Sequence, residues 1–152
     1  MLPLTKTKRM TIAQKYKKWS NLDLRKVAME TLMQNEDLYI NAQKEQMRKG
    51  ENKLGGNMNS YKWQEYAERK QGMNSLPPYG VRDNYLTGAI YKGMGIEQVS
   101  ATSFDIGSTD SKNDIIEQQS GGDIWGLNRT SSNSIKGEFT TLVVKNIKNA
   151  TE

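Results

Sequence analysis

Residues 96–106, Ile-Glu-Gln-Val-Ser-Ala-Thr-Ser-Phe-Asp-Ile, decide the fold class of this chain. β-Branched and aromatic residues lie toward both ends of the stretch, and small polar residues separate them, which is the pattern of two short strands joined by a turn. We therefore expect an antiparallel hairpin here. Because helical patterns flank it on both sides, the sequence predicts an α+β fold.

The flanking helical patterns are long. On the N-terminal side, residues 20–23, Ser-Asn-Leu-Asp, have the form of a capping box, and an apolar stripe follows as far as Gly50. This pattern predicts one helix of about 40 Å at ~1.5 Å per residue. On the C-terminal side, an amphipathic helix is expected to begin at Asn133 or Ser134 and to include Ile147. The core is expected to contain Leu24, Ala28, Leu32, Phe104, Ile106, Phe139 and Leu142.

Two segments between these elements are expected to be irregular. Residues 50–59 are polar and glycine-rich, which indicates a flexible loop, and residues 75–85 hold two prolines and a glycine, which indicates a shaped loop. Short helices are expected after Ser60 and after Asp110. The predicted architecture is a single α+β domain over residues 20–152, in which a small antiparallel sheet packs with the long N-terminal helix and the C-terminal helix. An extended basic arm, residues 1–19, precedes it.

The positive charge of the chain is concentrated in that arm. The 152 residues carry a formal net charge of +5. Residues 1–19 hold six basic residues and no acid, which leaves 16 of the 22 Lys and Arg for residues 20–152 with all 17 Asp and Glu. The arm is a candidate for contact with DNA or with an acidic neighbour, and a solvated terminus is the alternative. Its basic residues are Lys6, Lys8, Arg9, Lys15, Lys17 and Lys18.

The composition excludes several classes of chemistry. The chain contains no His and no Cys, which rules out Ser-His-Asp triads, thiol nucleophiles, common zinc sites and disulfides. The glycine pairs at 93/95 and 121/122 lack the continuation of a phosphate-binding loop and are interpreted as turns. The scattered acids give no recognisable carboxylate pair of the lysozyme type. We therefore expect no enzyme activity, no metal and no cofactor, and the lack of a long apolar run predicts no membrane contact.

Large side chains that carry a polar or charged group are candidates for anchors of a subunit interface, because they combine contact area with directional bonding. These candidates are Trp63, Tyr79, Arg82, Tyr91 and Trp125. For Trp125, packing in the core is the alternative interpretation.

Residues 76–88, Leu-Pro-Pro-Tyr-Gly-Val-Arg-Asp-Asn-Tyr-Leu-Thr-Gly, resemble a virion-assembly family of tailed bacteriophages. This family comprises tail-completion or head-to-tail connector (neck) proteins similar to the virion morphogenesis protein of phage Mu. Its loop leads to a Thr-Gly step and later to a strand ending in Ile-Gly-Ser/Thr, here residues 106–109. Residues 122–128, Gly-Asp-Ile-Trp-Gly-Leu-Asn, are similar to a motif of homologues in crAss-like phages. The resemblance covers residues 76–150, and the Pro-Ala-Arg-Pro-Phe segment of the family is absent.

The resemblance implies a structural virion protein, a subunit of a ring in the phage neck or tail that joins portal to tail around the DNA channel. The implied partners are copies of the chain in a cyclic ring, sixfold or twelvefold, the portal, other neck and tail proteins, and non-specific double-stranded DNA. The implied location is the virion, after assembly in the host cytoplasm. Two alternatives stay open: a small nucleic-acid-binding protein that uses the basic arm, and a lytic enzyme that acts on cell-wall polymer.

Overall fold

The computed structural model describes residues 10–152, so the arm residues Lys6, Lys8 and Arg9 lie outside the described range. Helices and one two-stranded sheet make up this part of the chain. The elements in chain order are α1 (Ile12–Ser20), α2 (Leu24–Gln34), α3 (Glu36–Arg48), α4 (Gln64–Met73), α5 (Ala89–Lys92), β1 (Met94–Gln98), β2 (Phe104–Ser108), α6 (Asn113–Gln119) and α7 (Arg129–Thr151).

The hairpin and the α+β class are confirmed. β1 pairs with β2 in antiparallel register, with Ile96 opposite Ile106. The connection is closed by a hydrogen bond from the Val99 N–H to the Ser103 carbonyl at 3.0 Å. Val99 is exposed and belongs to this connection rather than to a strand.

The prediction of one long N-terminal helix is wrong. α2 begins after Asp23, whose carboxylate accepts hydrogen bonds from the Arg25 and Lys26 N–H groups, and it ends at Gln34, with Asn35 as its C-terminal cap. The Asn35 side-chain amide donates to the Thr31 carbonyl at 2.8 Å, and the Asn35 N–H bonds to the Leu32 carbonyl instead. The side chain thus takes the carbonyl that a continuous helix would use, and the chain restarts as α3.

The N-terminal arm is not extended throughout, because residues 12–20 form α1. Thr11 caps this helix: its hydroxyl accepts from the Gln14 N–H at 3.2 Å, and the Gln14 side chain accepts from the Thr11 N–H at 2.9 Å. This reciprocal pair is a capping box, which satisfies two backbone donors at the helix start.

The C-terminal helix is confirmed in its location, but it begins at Arg129, four residues before Asn133, the earlier of the two predicted starts. Asn128 is its cap, and the Asn128 Oδ1 accepts from the Ser131 N–H at 2.9 Å. α7 packs against α2 and α3. The Asn146 side chain donates to the Thr31 hydroxyl at 2.8 Å, and the rings of Tyr39 and Phe139 meet edge to face.

The buried core lies around α3, α5 and the start of β1, and the connecting segments contribute further residues. Its members are Ile40, Met47, Met58, Val81, Ile90, Tyr91, Met94 and Ile124. Methionine supplies three of the eight, which suits the irregular space between short helices.

Of the predicted core, Leu32 and Ile106 are buried, whereas Ala28, Phe104, Phe139 and Leu142 are half-buried. Leu24 is 57% exposed, so its prediction is wrong. It is the first residue of α2, where no preceding turn covers it.

The glycine-rich segment 50–59 is closed by hydrogen bonds. The Asn52 carboxamide oxygen accepts from the Leu54 and Gly56 N–H groups, and the Met58 N–H donates to the Gly50 carbonyl at 2.7 Å. Met58 is only 2% exposed, so the loop ends by anchoring in the core. The helix expected after Ser60 begins instead at Gln64, and the one expected after Asp110 begins at Asn113.

Candidate functional site

α1 presents an uncovered apolar face, formed by Ile12, Tyr16 and Trp19. These side chains are 88%, 75% and 54% exposed, and no residue of α1 is buried. Spacings of four and three residues place them on one side of the helix. The helix also carries three exposed lysines and no acid: Lys15, Lys17 and Lys18.

The exposed apolar face leaves α1 with little stabilisation from packing. An isolated helix shorter than about 12–15 residues is marginal in water, and α1 has nine residues. Its capping box stabilises the first turn, and the helix contacts α7, yet its largest apolar groups remain in solvent. The chain therefore offers a preformed amphipathic helix whose apolar side lacks a cover within residues 10–152.

A second exposed aromatic region lies at Trp63 and Tyr79. Trp63 precedes α4 and is 68% exposed, and Tyr79 lies in the Pro-rich loop and is 59% exposed. This loop is held in place next to Tyr79, because the Gly80 carbonyl accepts from the Tyr61 N–H at 2.8 Å and Ser60 pairs with Val81. Both predicted anchors are therefore accessible on ordered backbone.

Arg82, another predicted anchor, is engaged within the chain. Its guanidinium lies 5.0 Å from the centroid of the Tyr61 ring, and its Nη1 donates to the Gln119 side chain at 3.3 Å. Arg82 thus links the Pro-rich loop to α6, and it is only partly exposed.

The other two predicted anchors, Tyr91 and Trp125, belong largely to the interior. Tyr91 is 6% exposed, and its hydroxyl donates to the Asp83 carbonyl at 2.7 Å, so it does not form an exposed interface anchor as predicted. Tyr91 is buried because it lies, with Ile90, on the side of α5 that faces the core. Trp125 is partly buried against the core, in accord with the alternative interpretation, and its Nε1–H has no acceptor among residues 10–152.

A buried ion pair joins α4 to the Pro-rich loop. The Lys70 ammonium lies 2.8 Å from the Asp83 Oδ1, and their side chains are 4% and 2% exposed. The Tyr61 hydroxyl donates to the same oxygen at 2.8 Å, and the Asn74 amide donates to the Asp83 Oδ2 at 3.0 Å. The Tyr85 N–H adds a fourth donor at 3.1 Å, and Lys70 also donates to the Tyr85 carbonyl.

The surroundings of Asp83 shift its pKa. Burial, the largest single influence, favours the neutral acid, but the hydrogen bonds from Lys70, Asn74, the Tyr85 N–H and Tyr61 together outweigh it, and the pKa lies below its ordinary value. Burial and the neighbouring Asp83 charge raise the pKa of the Tyr61 hydroxyl. The carboxylate is therefore ionised and the phenol neutral at neutral pH.

The ion pair acts as a structural clamp. The cavity beside it is too narrow to admit a water molecule, so a substrate has no room to reach Asp83. Local sequence patterns do not predict this pair, because Lys70 lies on α4 and Asp83 lies in the Pro-rich loop that follows it. One local signal was present: Lys70 follows the buried Ala67 by three residues and therefore lies on the inward side of α4.

Two buried glutamines of α3 hold the segment of residues 124–128. The Gln43 side chain donates to the Ile124 carbonyl at 2.8 Å and accepts from the Gly126 N–H at 2.9 Å. The Gln46 side chain donates to the Gly126 carbonyl at 2.9 Å and accepts from the Asn128 N–H at 2.7 Å. Each side-chain amide therefore donates one hydrogen bond to the backbone and accepts one from it, as the backbone of a neighbouring strand would. Together, the two glutamines fix the position at which α7 begins.

Among residues 10–152, no group of His, Cys, Asp or Glu is arranged to hold a metal ion. In the same range, no helix has the length and apolar character needed to cross a membrane. In comparisons with known proteins, the chain matches no protein-family model, no curated protein and no solved structure.

Proposed function

We propose that this chain is a structural protein of a tailed bacteriophage, a subunit that assembles with copies of itself into a ring of the neck or tail. The ring would join portal to tail around the DNA channel. The observation that carries this proposal is the α1 face, where Ile12, Tyr16 and Trp19 are exposed on a helix with no buried residue. A short helix of this kind gains stability when a second surface covers its apolar side.

The distribution of exposed aromatic residues also supports assembly. Closed rings use head-to-tail contacts, which require two different surfaces on each subunit. The α1 face offers one candidate surface, and Trp63 with Tyr79 offers a second on different elements. Repeating a modest contact around a closed ring adds to its stability through avidity. A subunit of this kind acts through shape, so the proposal assigns it no catalytic residue and no cofactor.

The experiment is negative-stain imaging of the purified chain, with light scattering to measure the assembled mass. We expect closed rings for the unmodified chain. The variant Ile12→Ser, Tyr16→Ser, Trp19→Ser should lose assembly while the midpoint of thermal unfolding stays unchanged, because none of these side chains is buried. The matched control is Leu54→Ser, Val99→Ser, Ile115→Ser, which removes three exposed apolar groups elsewhere and should still assemble. A chain that stays monomeric at every concentration contradicts the proposal.

The second candidate function is nucleic-acid binding. The three exposed lysines of α1, with no acid on the same helix, favour it. Deletion of residues 2–18 separates the two functions. DNA binding is supported if the full chain binds DNA with an affinity that falls steeply with salt and the deletion abolishes this binding. The ring is supported if the full chain does not bind DNA and the deletion abolishes assembly. Clearing of a cell-wall suspension by the purified chain would support the lytic alternative and overturn both.

A further inference from the structure

A cavity of about 490 Å³ opens between β2, α3, α6 and the segment of residues 124–128. This volume lies within the range of about 300–1,000 Å³ that is typical of pockets for small ligands. Three aromatic and three charged side chains contribute to its lining: Tyr39, Phe104, Trp125, Lys53, Asp105 and Glu117. The cavity is therefore both aromatic and charged, and it contains no part of the Lys70–Asp83 clamp.

The charge of the cavity is negative. The Lys53 ammonium is paired with the Asp123 carboxylate at 2.7 Å. The hydrogen bond to Asp123 and the negative charges of Asp123, Glu117 and Asp105 raise the pKa of Lys53, which indicates that all three acids act on one lysine. Asp105 and Glu117 form no salt bridge within residues 10–152. Two carboxylates at the cavity therefore have no cation of their own.

The hairpin places a further acid opposite Asp105. Glu97 of β1 lies directly opposite Asp105 of β2, and both residues are exposed. Like charges at opposing positions of an antiparallel pair destabilise the hairpin. A cation placed against this pair would remove the repulsion. The hairpin surface beside Asp105 is therefore acidic, and it favours the approach of a positively charged group.

We propose that this cavity binds the lysine and arginine side chains of the basic arm, residues 1–19, of a second copy of the chain. The inference rests on the proposed ring and names the contact that closes it. The arm carries six positive charges and no acid, whereas the remainder of the chain has one more acid than base. The aromatic rings attract a cation at their faces, and the carboxylates pair with it in a site that is partly shielded from water.

Head-to-tail assembly follows from this complementarity. The arm and the cavity are different surfaces of one chain, so each subunit docks its arm on the next, and a ring forms when the rotation closes. The lysines of α1 and its apolar face are both exposed, so the helix can bring charge and apolar contact to the neighbour together. The contact should weaken as salt is raised, because part of it is ionic.

The first test is carbodiimide cross-linking of the full chain, which joins a lysine amine to a carboxylate in contact with it. Nitrogen-15-labelled and unlabelled chains are mixed before the reaction, and the linked peptides are identified by mass spectrometry. We expect links between arm lysines and Asp105 or Glu117 that combine the two isotopes. Links confined to one isotope, or an absence of links to these two acids, overturn the inference.

The second test compares the assembly of two charge-matched variants. Asp105→Asn with Glu117→Gln should raise the apparent dissociation constant of the assembly at least tenfold. Glu65→Gln with Glu138→Gln removes the same charge from exposed positions of α4 and α7 and should change it less than twofold. The midpoint of thermal unfolding checks that both variants fold.

The outcomes separate this inference from the proposed function. If the unmodified chain forms rings and the cavity variant forms them equally well, the arm contact is wrong and the ring proposal stands. If the unmodified chain stays monomeric, both fail. A charge swap gives the positive result: Asp105→Lys with Glu117→Lys should assemble with a chain carrying Lys15→Glu, Lys17→Glu and Lys18→Glu, although neither should assemble alone.

Discussion

The Lys70 ammonium lies 2.8 Å from the Asp83 carboxylate, and both side chains are almost completely buried. Tyr61 and Asn74 donate to the same carboxylate. A buried charge is costly unless it is paired and hydrogen-bonded, and Asp83 meets both conditions. The pair connects α4 to the Pro-rich loop that carries Tyr79, and it therefore bears on the stability of a surface that we assign to assembly.

Breaking this pair should be strongly destabilising. Asp83→Asn leaves the Lys70 ammonium buried without a countercharge, and we expect the free energy of unfolding to fall by about 3–5 kcal/mol. The double variant Lys70→Met, Asp83→Asn removes both charges and should recover part of the loss. Urea unfolding measures both. A loss below about 1 kcal/mol for Asp83→Asn would be typical of an exposed pair and would contradict the buried geometry.

The lowered pKa of Asp83 predicts a loss of stability in acid. Burial, the largest influence, opposes ionisation, but the hydrogen bonds from Lys70, Asn74, Tyr85 and Tyr61 outweigh it, so the folded protein keeps the carboxylate ionised below its ordinary pKa of about 4. The unfolded chain therefore takes up the proton first as the pH falls. The contribution of Asp83 is fully present near pH 7, and it is lost between roughly pH 5 and the folded pKa.

The measurement is urea unfolding from pH 7 to pH 3. Asp83→Asn cannot titrate at this position, so the stability difference between it and the unmodified chain should shrink as the pH falls. A constant difference over the whole range would show that the carboxylate charge contributes nothing.

A side chain at Gly50 should be more destabilising than one at another glycine with a positive φ. Its φ is +74°, and a Cβ built there would lie 2.6 Å from the Val81 Cγ1 and 2.9 Å from the Pro77 Cβ. Gly80 is the matched control, because its φ is +80° but a Cβ would meet nothing within 4 Å. We expect Gly80→Ala to cost about 1–2 kcal/mol of unfolding free energy from the left-handed backbone alone. Gly50→Ala should cost about 1–3 kcal/mol more, because overpacking adds to the same strain. Equal losses in chemical denaturation would contradict the close packing at Gly50.

The hydrogen bonds of Gln43 to the segment of residues 124–128 can be made pH-dependent by one substitution. Gln43→Glu keeps the acceptor for the Gly126 N–H, but its ionised form cannot donate to the Ile124 carbonyl. Burial should raise the pKa of this glutamate in the folded protein, so the variant is most stable below the ordinary pKa of about 4.3 and loses stability as the pH rises through the higher folded value. The unmodified chain lacks this titrating group. The difference between the unfolding free energies of the variant and the unmodified chain, measured across pH 4–7, therefore checks the prediction.

Gln43→Ala completes this series. It leaves the Ile124 carbonyl and the Gly126 N–H without their partner, and each unsatisfied buried group costs about 1–3 kcal/mol. Its loss should be the same at pH 4 and at pH 7, in contrast to Gln43→Glu. A pH-dependent loss in Gln43→Ala would mean that another titrating group controls this segment.

Local patterns predicted two of the elements that depend on neighbouring residues. The β-branched and aromatic residues around Ile96 and Ile106, separated by small polar residues, predicted the hairpin, and the apolar spacing from Ile135 predicted the C-terminal helix. The break at Asn35 also has a local cause, a side chain that bonds the carbonyl of Thr31. It was missed because the apolar stripe continues across it, and periodicity does not register a side chain that competes with the backbone.

The sequence by itself determined the α+β class, the concentration of basic charge in residues 1–19, and the exclusion of histidine and cysteine chemistry, because these follow from composition and short-range spacing. Only the tertiary structure decided which polar groups are buried and which apolar groups are exposed. Gln43 bonds a carbonyl 81 positions away, and Lys70 is neutralised by a residue of another element. Such contacts depend on how the helices pack, and this packing also leaves Ile12, Tyr16 and Trp19 in solvent while it buries Tyr91.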